Sequence, residues 1–384
     1  MRVCMFHTIL GEGRTSSEVY SQELAEGLQR TGNGEIDLTH WTTSGRLRRA
    51  AAAVQPLARV AGYVDRYLIG QWQARGQDAD VNHIIEHGYS HLAFSLDPRR
   101  TVVTFHDAMI PKLQARELPV DAYPRLTMLG SRLNLAAIRR VAAVITVSES
   151  TRNDFLRFTD YDPSRVYVIL EGVSERFRPL DGKDGDRGEE RDGRPMRILH
   201  VGHCGIYKNI EGILRSIPLL VARLGPQVVF VKVGGPFTRS QLALIDRLGI
   251  EQHVQHLGMI PAADLPGVYA GADLLLMPSL HEGFGLPALE AMACGTPVIA
   301  SNQGSLPEVV GEAGLLVEPT EVEQIAAAAE RLLTDAELRA DLRKKGLERA
   351  RTFTWERTAR ETLAVYRSVY DMSRPTGSVG SNRE

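Results

Sequence analysis

The sequence predicts an α/β protein built from two similar doubly wound halves. Three observations carry this. Short apolar runs alternate with helical patterns from residue 2 to about 170, and the same alternation restarts at Met196. Between them lies Asp181 to Pro195, with four glycines, ten charged residues and no aliphatic or aromatic side chain before the closing proline. Such a stretch buries almost nothing and reads as a linker. At 384 residues there is chain enough for two domains. The expected division is 1–180, linker 181–195, and 196–352.

In chain order, residues 2–10 read as the first strand, a core strand rather than a signal peptide. Gly11-Glu12-Gly13 and a helix from about Ser17 to Arg30 follow. Further strands are expected at 81–86, 101–105, 143–147 and 165–169. The second half supplies strands at 196–201, 227–233, 254–257, 273–277, 297–300 and 314–317. Thr320 to Met372 is helical, interrupted around Thr352-Phe353-Thr354-Trp355, and the polar tail from Ser373 reads as disordered.

Composition narrows the function. Hydrophobic residues make up 43% and charged residues 24%, and the net charge is −2. That argues against the overall basic field of a nucleic-acid binder. Cys4, Cys204 and Cys294 are far apart and lack metal-ligand spacing, which points to reduced thiols in a cytoplasmic protein. No 18-residue apolar run predicts a membrane-spanning helix.

The most informative run is residues 281–301, HEGFGLPALEAMACGTPVIAS. An apolar strand enters a loop, Pro287 suits the start of a helix, and strong helix formers follow. Gly283, Phe284, Gly285 and Leu286 therefore stand at a helix N-terminus, where backbone N–H groups and the helix dipole favour an anion. Glu282 and Glu290, eight residues apart, flank that anion: a diphosphate suits the helix end, and sugar hydroxyls suit the carboxylates.

This run resembles the Glu-x7-Glu signature of retaining glycosyltransferases of family 4, with Ala-Met-Ala-Cys-Gly-Thr-Pro-Val and Gly-Ser-Leu-Pro-Glu in register. The resemblance implies the GT-B fold: two facing Rossmann-like domains, with a last helix (355–372) crossing back to the first. It also implies transfer of a sugar, a hexose above all, from a nucleoside diphosphate sugar to an acceptor hydroxyl with retention. The product would be a polysaccharide, glycolipid or glycosylated metabolite. Neither metal nor other cofactor is expected.

Several residues take roles from the same resemblance. Gly202, His203 and Lys208 match the loop that meets the donor diphosphate, although His203 stands where the family often has arginine, a bidentate phosphate partner. Lys208 and the helix start would stabilise the leaving diphosphate. Glu282 would hold sugar hydroxyls, Glu290 the ribose, and Gly258, Met259 and Ile260 the base. His106, paired with Asp107 after the strand 101–105, would lie by the reacting sugar. A Glu282 nucleophile is conceivable, but the family picture favours front-face attack.

Gly11-x-Gly13-x-x-Ser16 is a broken dinucleotide fingerprint. Gly13 is assigned to the cleft floor under the donor, with a simple tight turn as the other reading. His83, His87 and His91 recur every four residues, but Gly88 interrupts them, so a metal is disfavoured. They are assigned, with Glu86 and Tyr89, to the acceptor side. Gly45 to Tyr67 carries Arg46, Arg48, Arg49, Arg59 and Arg66 among apolar residues, interrupted by Pro56. Two readings stay open for it: weak peripheral contact with an anionic inner membrane face, or a solvated helix over the first sheet. The rival functions are a sugar-nucleotide epimerase, a nicotinamide-dependent dehydrogenase on twin Rossmann-like domains, and a non-catalytic sugar-nucleotide binder.

Overall fold

The computed structural model describes residues 1–7, 16–43, 45–51, 53–118, 125–180 and 194–374. Gly13, most of the 181–195 segment and the tail from 375 lie outside them. The chain forms two compact units. One comprises Met1–Pro111, Ala122–Leu170 and Trp355–Glu384; the other comprises Lys112–Asp121 and Glu171–Thr354.

The first unit is a parallel sheet of six strands in the order β2-β1-β3-β4-β5-β6. These are β1 Arg2–His7, β2 Asp37–Thr42, β3 Val81–Ile84, β4 Thr101–Phe105, β5 Ala143–Thr146 and β6 Val166–Val168. β4, Thr-Val-Val-Thr-Phe, is buried along its whole length, as expected of a strand covered on both faces. β2, Asp-Leu-Thr-His-Trp-Thr, had no clear signal in the sequence. It is an edge strand, pairing with β1 only, so four of its six residues, Asp37, Thr39, His40 and Thr42, are polar and exposed.

The helix Trp355–Ser373 packs inside this first unit, as the resemblance implies. It crosses the helix Ser16–Thr31 at Gly27, where a Cβ would come within 3.0 Å of both Ala359 Cβ and the Trp355 carbonyl. Thr358 Oγ1 donates to the Leu170 carbonyl (2.7 Å), and Tyr366 Oη meets His83 Nδ1 (2.5 Å).

The second unit is another six-stranded parallel sheet, ordered β12-β11-β10-β7-β8-β9. Its strands are β7 Met196–Val201, β8 Val228–Val233, β9 Val254–Gly258, β10 Leu274–Met277, β11 Val298–Ser301 and β12 Gly314–Val317. Ile198, Phe230, Leu274, Leu276 and Ile299 bury the sheet against Ile213, Leu214 and Ile217 of the helix Ile210–Leu224. Each such side chain contributes roughly 1.5–3 kcal/mol by leaving water.

Strand order fixes where a ligand can sit. The direction of winding reverses between β7 and β10 in the second unit, and between β1 and β3 in the first. In open parallel sheets the crevice beyond the carboxyl ends of such a pair is the binding position. The loops leaving β7 and β10 hold Gly202 to Lys208 and Ser279 to Glu282; the loop leaving β3 holds Glu86 and His87.

Candidate active site

In the second unit three glycines line up at the carboxyl ends of β7, β8 and β9. Gly202 N donates to Val233 O (3.0 Å), and Gly234 N donates to Gly258 O (2.8 Å). A Cβ on Gly234 would collide with the Gly202 carbonyl, and φ of +109° places that glycine in a conformation other residues avoid. The backbone here approaches itself too closely for a side chain. Gly258 is in the same row, while Met259 is exposed and Ile260 half-buried in the following loop.

Beyond Gly202 the chain makes one 3-10 turn, Ile206–Lys208, and enters the helix Ile210–Leu224 through Asn209. Asn209 caps that helix by accepting from Gly212 N (3.2 Å) and donates to the carbonyls of Pro278 and Pro319. Leu280 N donates to Tyr207 O (2.7 Å), clamping the loop after β10 to the loop after β7. The clamp brings Lys208 Nζ to 2.8 and 3.0 Å from the two carboxylate oxygens of Glu282. Both side chains are about a tenth exposed, at 10% and 9%.

The glycine loop after Glu282 is held from behind. Ser305 Oγ, fully buried, donates toward the carbonyls of Glu282 (3.1 Å) and Phe284 (2.7 Å). That orients those carbonyls inward at the start of the helix Leu286–Ala293, whose first N–H groups have no partner within the helix. The in-register Gly-Ser-Leu-Pro-Glu segment thereby gains a physical role: Gly304 lies against the Glu282 backbone, Ser305 holds the loop and Leu306 packs over Gly285. The Phe284 side chain is buried against Phe353 (centroids 6.0 Å), so only its backbone can serve a ligand.

Glu290 stands in the second turn of the helix Leu286–Ala293. It accepts from Tyr269 Oη at 2.6 Å. Burial pushes its carboxyl up to about 7, against the opposing pull of the Tyr269 hydrogen bond and of Arg176. A pKa higher in the folded state than in the unfolded chain stabilises the fold fully below about 4.5, and that contribution fades as pH rises through about 7. Between pH 5 and 8, wild type should therefore lose up to about 3 kcal/mol relative to Glu290→Gln. Denaturant unfolding at several pH values reads this; parallel curves would refute it.

Two histidines and a lysine stand in and beneath the loop after β7. His203 accepts from Gly205 N at Nδ1 (3.1 Å), so the ring is neutral and Nε2–H donates to Tyr207 Oη (2.6 Å). Burial above all, and neighbouring Lys208, lower its pKa against the opposing pull of Glu282, which disfavours a positive charge on the ring. Lys232, which sequence reasoning missed inside the β8 run Val-Val-Phe-Val-Lys-Val, is fully buried. Its Nζ donates to the carbonyls of Gly202 (3.0 Å), Gly235 (2.6 Å) and Val233 (3.4 Å). It places an ammonium beneath the loop and holds those three carbonyls toward itself. His200, also buried, donates from Nδ1 to Leu276 O (3.0 Å) and is held neutral, its pKa lowered to about 3 by burial.

The first unit gathers a different set. His106 Nε2 donates to the Ile85 carbonyl (2.9 Å), and its backbone N–H lies 3.4 Å from His87 Nδ1. Tyr20 packs edge-on against the His106 ring at 4.8 Å. Glu86 Oε1 is 2.9 Å from His87 Nδ1 and accepts from Gly88 N. Burial opposes ionisation of Glu86, yet the His87 imidazole beside it holds the carboxyl well below the usual range. Asp107 accepts from Met109 N (2.9 Å). Tyr89 is buried beneath the Arg66 guanidinium, 4.1 Å from its ring centre.

His83 and His91 do not line an acceptor surface. Both are fully buried: His83 bridges Tyr366 and Thr104, and His91 binds Asn134 and the Arg66 carbonyl. Among the described residues no group of three His, Cys, Asp or Glu side chains could hold a metal ion.

Residues 184–349 match the family described as "Glycosyl transferases group 1", and residues 17–177 match "Glycosyltransferase Family 4". The chain is 30% identical over 275 residues to the O-antigen chain mannosyltransferase B of Escherichia coli, covering 70% of each. It is 33% identical over 238 residues to a D-inositol 3-phosphate glycosyltransferase of Corynebacterium glutamicum, covering 59% of this chain and 56% of that protein. The serotype-specific mannosyltransferase WbdA of Escherichia coli is also similar, but the match spans only 35% of its length. Two solved structures share the fold: sucrose-phosphate synthase of Thermosynechococcus elongatus and HepE of Anabaena with UDP and glucose. Their TM-scores are 0.74 and 0.71 at 21% and 19% identity, over 97% and 96% of this chain and all of each of theirs. The epimerase and dehydrogenase readings gain no support, and the chain belongs to glycosyltransferase family 4 as an enzyme of the GT-B fold.

Proposed function

We propose that this glycosyltransferase takes a hexose from a nucleoside diphosphate sugar and passes it, with retention and without a metal, to an acceptor hydroxyl. The observation that carries the reading is the buried Lys208–Glu282 pair at the reversal point of the second sheet, beside a helix start. An ammonium has three donors and Glu282 takes two, leaving a direction for phosphate. The Lys208 charge and the N–H groups at Phe284 to Leu286 would stabilise the leaving diphosphate. Glu282 would hold sugar hydroxyls and Glu290 the ribose. His106 keeps the sugar-side role that the resemblance gives it.

Attack from the leaving-group face fits this set, since the departing phosphate can take the acceptor proton and no protein nucleophile is required. The names of the Escherichia coli relatives favour a mannosyl donor. Cytoplasmic action on a lipid-linked or polysaccharide acceptor, with contact to an anionic membrane through 46–66, belongs to the same reading.

A thermal-shift panel of nucleoside diphosphates and their sugars tests the donor. A ligand at about 100 times its Kd should stabilise by about 2.7 kcal/mol, and one base should stand out. Turnover should persist in excess chelator, and the product should keep the donor's anomeric configuration by NMR. A complete loss that magnesium or manganese restores would overturn the mechanism; an inverted product would overturn retention.

A further inference from the structure

The first unit carries an apolar surface that its own core does not explain. Nine of the fourteen exposed large apolar side chains among the described residues fall in two segments, 45–75 and 125–142. Leu57, Val60, Val64, Leu68 and Trp72 recur at spacings of three and four along the helix Gln55–Val64, the π-turn Asp65–Ile69 and the helix Gly70–Ala74, forming one stripe. Trp72 is 72% exposed and Leu68 66%. The second segment, the helix Arg125–Ile138, presents Leu126, Leu129 and Leu133 at the same spacing, with Leu129 63% exposed.

The two segments are neighbours. Tyr63 Oη and Thr127 Oγ1 share a hydrogen bond of 3.0 Å, and Gly130 leaves room for the Tyr67 phenol. Apolar area on adjacent helices therefore belongs to one face, larger than the single basic helix that the sequence suggests.

Charge selects the occupant. The two segments hold ten arginines and one acidic residue, Asp65, in a chain whose net charge is −2. Asp65 is fully buried, and its carboxylate caps the helix Arg46–Ala50 by accepting from Leu47 N and Arg48 N. Arg66 is used internally, donating to the Gly88 carbonyl. Arg46 and Arg132 remain exposed beside the apolar stripe. A second copy of this face would bring like charges together, whereas apolar residues rimmed by arginine fit an anionic bilayer.

We infer that residues 45–75 and 125–142 form a composite docking face for an anionic lipid membrane, with Trp72, Leu68 and Leu129 entering the headgroup region. This deepens the membrane part of the proposed function and rests on it for the kind of surface. Vesicle binding is read without donor or acceptor, so its failure would leave sugar transfer standing.

The test is co-sedimentation of the full chain with phosphatidylcholine vesicles, with and without phosphatidylglycerol, at low and high salt. Binding is expected only with the anionic lipid, weakening as salt rises. Trp72 fluorescence should shift to the blue, and the shift should vanish in Trp72→Phe, whose binding should persist. Leu68→Ser and Leu129→Ser should each reduce partitioning by about tenfold, with thermal stability unchanged because both sites are exposed. Absence of binding to anionic vesicles, or undiminished binding in the Leu68→Ser/Leu129→Ser protein, would overturn the inference. So would a concentration-dependent dimer that the same two substitutions dissociate.

Discussion

Lys208→Met is expected to destabilise the second unit by about 3–5 kcal/mol, because it leaves a buried carboxylate without its partner. Lys208 Nζ lies within 3.0 Å of both Glu282 oxygens, and neither side chain has much access to water that could replace the contact. Glu282→Gln should cost less, since the amide oxygen still accepts one hydrogen bond from the ammonium. The double variant Lys208→Met/Glu282→Gln removes both charges, so most of the single-variant loss should return. Turnover should not return. On the proposed mechanism Lys208 is a preorganised charge on the leaving group, whose loss lowers kcat by roughly 10²–10³, and repairing the fold does not repair that. Urea unfolding and initial-rate measurements on the same preparations separate the two effects. A Lys208→Met protein within about 1 kcal/mol of wild type would refute the burial argument. A double variant with near-normal turnover would refute the catalytic one.

The reach of the sequence follows from the physics of each element. Strands in the middle of a covered sheet announce themselves as short, mostly apolar, β-branched or aliphatic runs, so β4, β7, β10 and β11 were legible to within a residue or two. β2 was not, because an edge strand needs no apolar face to be held and its pairing with β1 is backbone work. The helix-start chemistry at Glu282 to Leu286 was legible for a related reason: glycines and a proline at fixed offsets are local requirements. Lys232 was hidden because a lysine in a strand reads as an exposed position, and its burial depends on the Gly202 carbonyl, 30 residues away, meeting those of Val233 and Gly235 at the end of its own strand. Tertiary placement likewise decided His83 and His91. Their regular spacing suggested a shared function, yet strand β3 and the turn after it aim them into different buried networks. Pairing between Lys208 and Glu282 was also out of reach, since 74 residues separate them and the contact depends on the Leu280–Tyr207 clamp.

The second large effect concerns a methyl group. Gly285→Ala should destabilise the protein by about 3–5 kcal/mol and weaken nucleotide binding, although it adds one carbon and removes no hydrogen-bonding atom. Two costs combine. Gly285 holds φ at +109°, where an L side chain is strained by roughly 1–3 kcal/mol. The new Cβ would also lie 2.6 Å from Leu306 Cδ2, and Leu306 is fully buried, so overpacking adds about 1–3 kcal/mol. Leu306→Ala alone should cost about 2–5 kcal/mol by leaving a cavity. In the double variant the overlap disappears while the backbone strain stays, so its loss should fall short of the summed single losses by about 1–3 kcal/mol. Strict additivity would mean that Leu306 is not the obstacle. Tolerance of the alanine within about 0.5 kcal/mol would mean that the loop relaxes freely. A loop that relaxes freely could not hold the N–H groups of Phe284 to Leu286 in place for a diphosphate, so this stability measurement also tests the preorganisation on which the proposed chemistry depends.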